Sequence, residues 1–266
     1  MTYHDTTIDV RGRQVRMLRG GSGPPLLYLH DTFIVENLWL PFHERLAEHY
    51  DVILPMHPGC EGSEATGGID TMDDLIFHYL DLCNALHLVA PILVGASLGG
   101  WVAVEWAVRY SHMLRGLIVL NALGLRVPGA LTADVLRLDP GQIRSHLFAA
   151  PSSELAHTLV PDLPAPEMLP ALLKARQTLA RFAWQFPDNP KLARYLYRVT
   201  IPTLILWGEQ DQFIPSAFGQ AYHDAIAGSE WMLLPGCGHL PQVEQPQACI
   251  DAVTAYLTRH RLFGAR

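Results

Sequence analysis

Six short apolar runs, separated by longer segments with helical periodicity, constrain the fold of this chain most: Pro25 to His30, Asp51 to Pro55, Pro91 to Gly95, Gly116 to Asn121, Pro202 to Trp207 and Trp231 to Leu234. Runs this short and this continuously apolar read as strands covered on both faces of a sheet. Between them, Asp70 to His87 places Leu75, Tyr79, Leu82, Cys83 and Leu86 at helical spacing, and Thr71 with Asp74 forms a capping box that starts the helix. Strands alternating with helices imply right-handed crossovers and a mostly parallel sheet, with Thr7 to Val10 and Gln14 to Leu18 adding an antiparallel hairpin at one edge. The expected class is α/β.

Composition narrows the function. At 266 residues the chain is long enough for one large domain with an inserted subdomain, and 49% hydrophobic against 17% charged residues argues for a packed core rather than disorder. Lys+Arg 19 against Asp+Glu 26 leaves a net charge of -7, so the basic field that phosphate-backbone binding needs is missing and no nucleic-acid partner is expected. The longest apolar runs fall short of the roughly 18 residues of a membrane span, and no signal-peptide stretch precedes residue 25. Four cysteines, Cys60, Cys83, Cys237 and Cys249, form no CxxC pair. These features predict a cytoplasmic protein with a small-molecule substrate and no membrane partner, and leave a homodimer open. None of the 13 histidines sits in an HxH or HExxH spacing, so no metal is expected.

The alternation fails from Val127 to Tyr197, a stretch with nine prolines interrupted by helical segments such as Met168 to Phe186. Leu172, Leu173, Leu179, Phe182, Trp184 and Phe186 give it more apolar surface than a solvated linker tolerates. The expectation is a helical cap at 127–197 over a pocket in a core made of 1–126 and 198–266.

The chemistry centres on Gly95-Ala96-Ser97-Leu98-Gly99-Gly100, which follows an apolar run and precedes a helical pattern from Trp101. This strand-turn-helix context is the one a GxSxG elbow requires, with small residues permitting a strained turn and the helix start facing developing negative charge. A serine hydroxyl needs a histidine to take its proton, and the histidine needs a carboxylate to hold it. Asp211 and His239 each follow a predicted strand. Taken singly, the elbow reads as a packing turn, Asp211 as a loop acid and His239 as a loop histidine; in the order Ser, Asp, His they read together as a nucleophile with its base and acid.

The chain resembles the α/β-hydrolase superfamily on five motifs in family order: Leu29-His30, His57-Pro58-Gly59-Cys60-Glu61-Gly62-Ser63, the Ser97 elbow, the loop ending at Asp211, and Gly238-His239 followed by Glu244 and Pro246. The resemblance implies an α/β-hydrolase fold, a triad of Ser97, Asp211 and His239, an oxyanion hole from the backbone amides of Leu98 and of Thr32 or Phe33, and no cofactor. Asn121 occupies the position after the preceding strand where some members carry the acid, but it cannot supply the charge; Glu209 is the other rival to Asp211. Asp31 stands where the family usually has glycine, either capping local amides or meeting a substrate hydroxyl.

A serine at the elbow favours acyl transfer over alkyl-enzyme chemistry, so the expected activity is hydrolysis of a small to medium, largely apolar carboxylic ester. Hydrolysis of a carbon-carbon bond in a ring-cleavage or diketone-type product is the nearest alternative, set back because the chain reads Gly238-His239-Leu240 and His30-Asp31-Thr32 where that group resembles Gly-His-Trp and Gly-Pro-Gly. Perhydrolase and acyltransfer chemistry stay open, and a non-catalytic small-ligand receptor is the reading from another class. Candidate substrate contacts are His30, Asp31, Phe182 and Trp184, with Phe33, Trp39, Trp101 and Phe186 as further apolar lining and Arg137, Arg144, Arg176 or Arg181 for an acidic group. Aromatics at these spacings read equally as core, and cap arginines as solvated.

Overall fold

A computed structural model describes residues 3–33, 39–60, 62–64, 67–184 and 187–262; Glu61 and Phe186 lie outside them. In chain order the elements are β1 (Tyr3–Val10), β2 (Arg13–Gly20), β3 (Pro25–Leu29), α1 (Pro41–Leu46), β4 (Asp51–Pro55), α2 (Met72–Ala85), β5 (Ile92–Ala96), α3 (Leu98–Tyr110), β6 (Gly116–Leu120), α4 (Pro140–Leu147), α5 (Glu154–Leu159), α6 (Leu169–Ala183), β7 (Thr203–Gly208), α7 (Ser216–Ala225), β8 (Glu230–Leu234), α8 (Pro241–Glu244) and α9 (Pro246–Arg259). The strands form one sheet of order β1-β2-β4-β3-β5-β6-β7-β8. From β4 to β8 every neighbour is parallel, while β1 pairs with β2 and β2 with β4 antiparallel, so the hairpin closes one edge.

The central strands are buried throughout because successive side chains feed two cores. Leu93, Leu117, Val119, Ile205 and Trp207 pack with α2, α3 and α7, whereas Ile92, Val94, Ile118, Leu120, Leu204 and Leu206 pack with α1 and α9. That two-sided cover explains why these strands are uniformly apolar rather than alternating. The capping box is present: the Thr71 hydroxyl accepts the Asp74 amide and the Asp74 carboxylate accepts the Thr71 amide. The helix it opens ends at Ala85, two residues inside the expected span.

The order β4-β3-β5 means that the chain leaves β3 to one side and returns on the other. Crevices for ligands form outside the carboxyl ends of strands at such a reversal. Between β6 and β7 lie α4, α5 and α6 with short 3-10 turns, and α6 spans less than the Met168 to Phe186 expected for it.

Candidate active site

Ser97, the first residue past β5, has φ 53° and ψ -115°, a conformation that side-chain-bearing residues seldom adopt. Its amide donates to Leu120 O at 3.0 Å and its carbonyl accepts from Trp101 and Leu123, so the strained turn is held from β6 and from α3. Close approach requires the flanking glycines: a Cβ on Gly99 would lie 2.1 Å from Leu29 O, and one on Gly95 2.4 Å from Gly99 O. The result is a buried hydroxyl with no hydrogen-bond partner, at the start of α3 where Leu98 presents one of the amides no helix can satisfy internally.

Asp211 sits in the loop after β7 and is 2% exposed. One carboxylate oxygen accepts the amides of Phe213 and Ile214 at 2.9 and 2.8 Å; the other accepts Asn121 Nδ2 at 2.6 Å and His239 Nδ1 at 2.8 Å. Asn121, at the end of β6, also takes the Gly208 amide on its own oxygen at 3.2 Å, which ties the ends of β6 and β7 together. Lacking charge, it was a poor acid, and the structure makes it a donor to the acid instead. Its short polar side chain and its tolerance of φ 43° were the signals present in the sequence.

His239 follows β8. Its amide donates to Leu147 O at 2.6 Å, which anchors the loop to α4. With Nδ1 held by Asp211, its Nε2 is buried and unpartnered. The rings of Phe33 and Phe213 stand edge-on to the imidazole at 5.7 and 4.7 Å and touch each other at 5.4 Å. Glu244 braces the same loop: its oxygens accept the amides of Gly238, Leu240 and Ala149 at 3.0, 3.3 and 2.8 Å. Burial pushes its carboxyl up from the ordinary range, against the opposing pull of those amides.

The loop after β3 holds the remaining candidates. The His30 Nδ1–H donates to the Asp31 carbonyl and its Nε2 accepts the His57 amide at 3.0 Å, so both ring nitrogens are spent on backbone. His30 therefore holds the loop rather than facing a substrate. Asp31, 2% exposed, accepts the Phe33 amide at 2.7 Å and Gln242 Nε2 at 3.3 Å. Of the two loop amides expected for an oxyanion hole, that of Phe33 is thus already committed, and Thr32 is the remaining one.

Two cavities lie beneath the helices between β6 and β7. One, of about 130 Å³, is lined by Leu123, Val135, Leu179, Trp184 and Phe213; the other, of about 60 Å³, by Thr32, Phe33, Ile143, Leu172, Arg176 and Leu179. Trp184 lines the first although 69% exposed, while Phe182 packs half-buried against the core. Trp39 stacks on Tyr3 at 5.1 Å, away from both, and buried Trp101 donates to Glu105 at 3.1 Å within the core. Arg144 is paired with Asp162, Arg181 with Asp70 and Arg137 with Asp134. Among the described residues no three His, Cys, Asp or Glu side chains converge as a metal site would need, and no helix is long and apolar enough to cross a membrane.

Residues 20–252 match the model of the alpha/beta hydrolase family. An uncharacterized protein of Mycobacterium tuberculosis is 26% identical over 89% of this chain and 76% of its own length. A 2-hydroxy-6-oxo-6-(2'-aminophenyl)hexa-2,4-dienoic acid hydrolase of Metapseudomonas resinovorans is 24% identical over 97% of this chain and 92% of its own. Among solved structures, a bacterial membrane phospholipase A superposes with a TM-score of 0.82 at 21% identity, covering 97% of this chain and 87% of that one, a likeness of fold.

Proposed function

Because the chain belongs to the alpha/beta hydrolase family, we propose that it is a serine hydrolase that cleaves a small to medium, largely apolar carboxylic ester through an acyl-enzyme on Ser97. The observation that carries this reading is a buried imidazole with Asp211 on one nitrogen and no partner on the other, beyond the carboxyl edge of the same parallel sheet that presents an unpartnered serine hydroxyl. In the reaction, His239 Nε2 takes the Ser97 proton as Oγ attacks the ester carbonyl. The oxyanion is held by the amides of Leu98 and Thr32, His239 protonates the departing alcohol, and water activated by the same histidine releases the acid. Asp211 keeps the ring in the tautomer that leaves Nε2 free and offsets the charge of the imidazolium. The helices of 127–197 act as the cap, and the two cavities beneath them, which share Val135, Leu136 and Leu179 in their walls, suit apolar groups on either side of the scissile bond.

A second reading, carbon-carbon bond hydrolysis of an acidic ring-cleavage-type product, draws on the Metapseudomonas relative and on Arg176. Unlike Arg144 and Arg181, Arg176 has no ion-pair partner among the described residues, and it lines the apolar cavity beside Thr32. A substrate panel that varies acyl length, charge and ester against diketone separates the two.

The central test is labelling by a fluorophosphonate probe, followed by intact mass, alongside turnover of p-nitrophenyl acetate. Labelling at Ser97 that is lost in Ser97→Ala and His239→Ala is the expected result. A folded wild-type protein that neither labels nor turns over would overturn the hydrolase reading and favour the receptor.

A further inference from the structure

Among the buried carboxylates that the mechanism above leaves unused, one stands beside a proposed oxyanion-hole amide. Asp31 occupies the loop that carries the Thr32 amide, where a negative charge directed at a developing oxyanion would oppose it. Both of its oxygens are instead occupied by N–H groups. One holds the Phe33 amide two residues ahead, a local turn that fixes the backbone on the far side of Thr32. The other receives Gln242 Nε2, three residues beyond His239 and 211 residues away in sequence. Gln242 is 1% exposed, and its Oε1 has no partner. On the near side of Thr32, the Asp31 carbonyl accepts the His30 ring, which in turn is bonded to the His57 amide.

We infer that Asp31 and Gln242 form a positioning clamp that joins the loop bearing the oxyanion-hole amide to the loop bearing the catalytic base. The inference rests on the serine hydrolase reading. Asp31 closes the turn around Thr32, and Gln242 sets that turn at a fixed place relative to His239, so the donor to the oxyanion and the base for the proton move as one unit. The same contacts direct the Asp31 charge toward two N–H groups and away from the oxyanion. Where glycine would leave this loop to adapt, the carboxylate commits it to one geometry.

Asp31→Asn is the informative variant. Its amide oxygen can still accept the Phe33 amide, and its new N–H₂ can donate to Gln242 Oε1 once the Gln242 amide turns over, so the clamp survives with the charge removed. Asp31→Ala breaks both links. Misplacing one oxyanion donor costs on the order of 10²–10³ in rate. Asp31→Ala is therefore expected to lower kcat for p-nitrophenyl acetate by about 10²-fold with KM changed less than threefold, and to weaken inhibition by a trifluoromethyl ketone, which forms the oxyanion adduct, by a similar factor. Asp31→Asn should stay within about tenfold of wild type in both readouts, and Gln242→Leu should fall between them.

A merely structural role would lower Tm in Asp31→Ala and Asp31→Asn alike without separating kcat from KM, which would overturn the clamp. So would an Asp31→Ala protein with wild-type kcat and wild-type ketone affinity. Failure of the wild-type protein to react with either probe would overturn the hydrolase reading and the clamp's role with it; a reactive wild type beside an equally reactive Asp31→Ala would overturn the clamp alone.

Discussion

Two sets of buried histidines stand beyond the carboxyl ends of strands in the same sheet, His30 and His57 after β3 and β4 and His239 after β8, and differ in what their nitrogens touch. The His30 and His57 rings lie 4.1 Å apart, and each nitrogen has a neutral partner: the Asp31 carbonyl and the His57 amide for His30, the His30 carbonyl and the Tyr79 hydroxyl for His57. Read as a chain, Tyr79 O–H donates to His57 Nδ1, His57 Nε2–H to the His30 carbonyl, and His30 Nδ1–H to the Asp31 carbonyl, so both tautomers are assigned and no nitrogen remains for chemistry. His239 is as deeply buried, but has a carboxylate on one nitrogen and nothing on the other. Burial alone therefore does not mark a candidate base; a charged partner opposite an open nitrogen does. In the first set, desolvation excludes the proton, whereas in the second a carboxylate stands ready to offset it.

Converting the second arrangement toward the first should have the largest effect. Asp211→Asn removes the charge and allows its amide to donate to Nδ1, which places the ring proton on Nε2 and spoils the base. Loss of the equivalent carboxylate in a serine triad costs about 10⁴ in kcat, so p-nitrophenyl acetate turnover at pH 7 should fall by about that factor while the fold persists. A variant that keeps more than a tenth of wild-type turnover would mean that Glu209 or another acid serves His239.

The next effect is on stability. Burial lowers the affinity of His30 and His57 for protons and takes His43 down to about 3 and His78 to about 4. Unfolded, each binds a proton below about 6.5; folded, each takes one up only at lower pH, so the unfolded state binds more protons and stability rises with pH. As pH falls through 6.5, His78 and His43 each subtract up to about 1.4 kcal/mol per pH unit, His78 down to about pH 4 and His43 to about pH 3, and His30 and His57 act in the same direction. Urea unfolding midpoints measured from pH 7 to pH 4.5 should fall steeply, and less so in His78→Asn. A flat profile would show that these rings charge without cost.

Much of the fold was legible because its strands are covered on both faces. Continuous apolar runs such as Ile92 to Val94 and Leu117 to Leu120 suit such strands, and the expected bounds of the six apolar strands agree with the observed ones to within a residue, whereas the edge strand β1 starts at Tyr3, four residues before the expected Thr7. Ser97, Asp211 and His239, the proposed triad, stand one, three and five residues beyond the ends of β5, β7 and β8, so a parallel sheet delivers them to one edge. What connects them was not legible. Asn121 and Gln242 act through contacts with partners 90 and 211 residues away, and Glu244 joins two nearby amides to one 95 residues away; no local periodicity encodes such pairs. The helices between β6 and β7 were the hardest to place. Leu173 and Trp184, counted in the apolar surface expected of a cap, are 59% and 69% exposed, because an amphipathic pattern punctuated by prolines does not state which face is covered.

Tyr79→Phe should have the smallest effect on turnover. The hydroxyl it removes is the donor to His57 Nδ1, and without it that nitrogen is a buried acceptor with no partner. Leaving such a group unsatisfied costs about 1–3 kcal/mol, which for a chain of this length lowers Tm by roughly 2–4 °C per kcal/mol. Since His57 still reaches the His30 carbonyl through Nε2 at 2.7 Å and the His30 ring through its own amide, the loop at Asp31 should stay in place and kcat should remain within about twofold of wild type. A Tm loss with intact turnover would fix the neutral histidine pair as scaffold. A turnover loss exceeding tenfold at unchanged Tm would instead show that the pair shares in the chemistry, and would erase the distinction between it and His239.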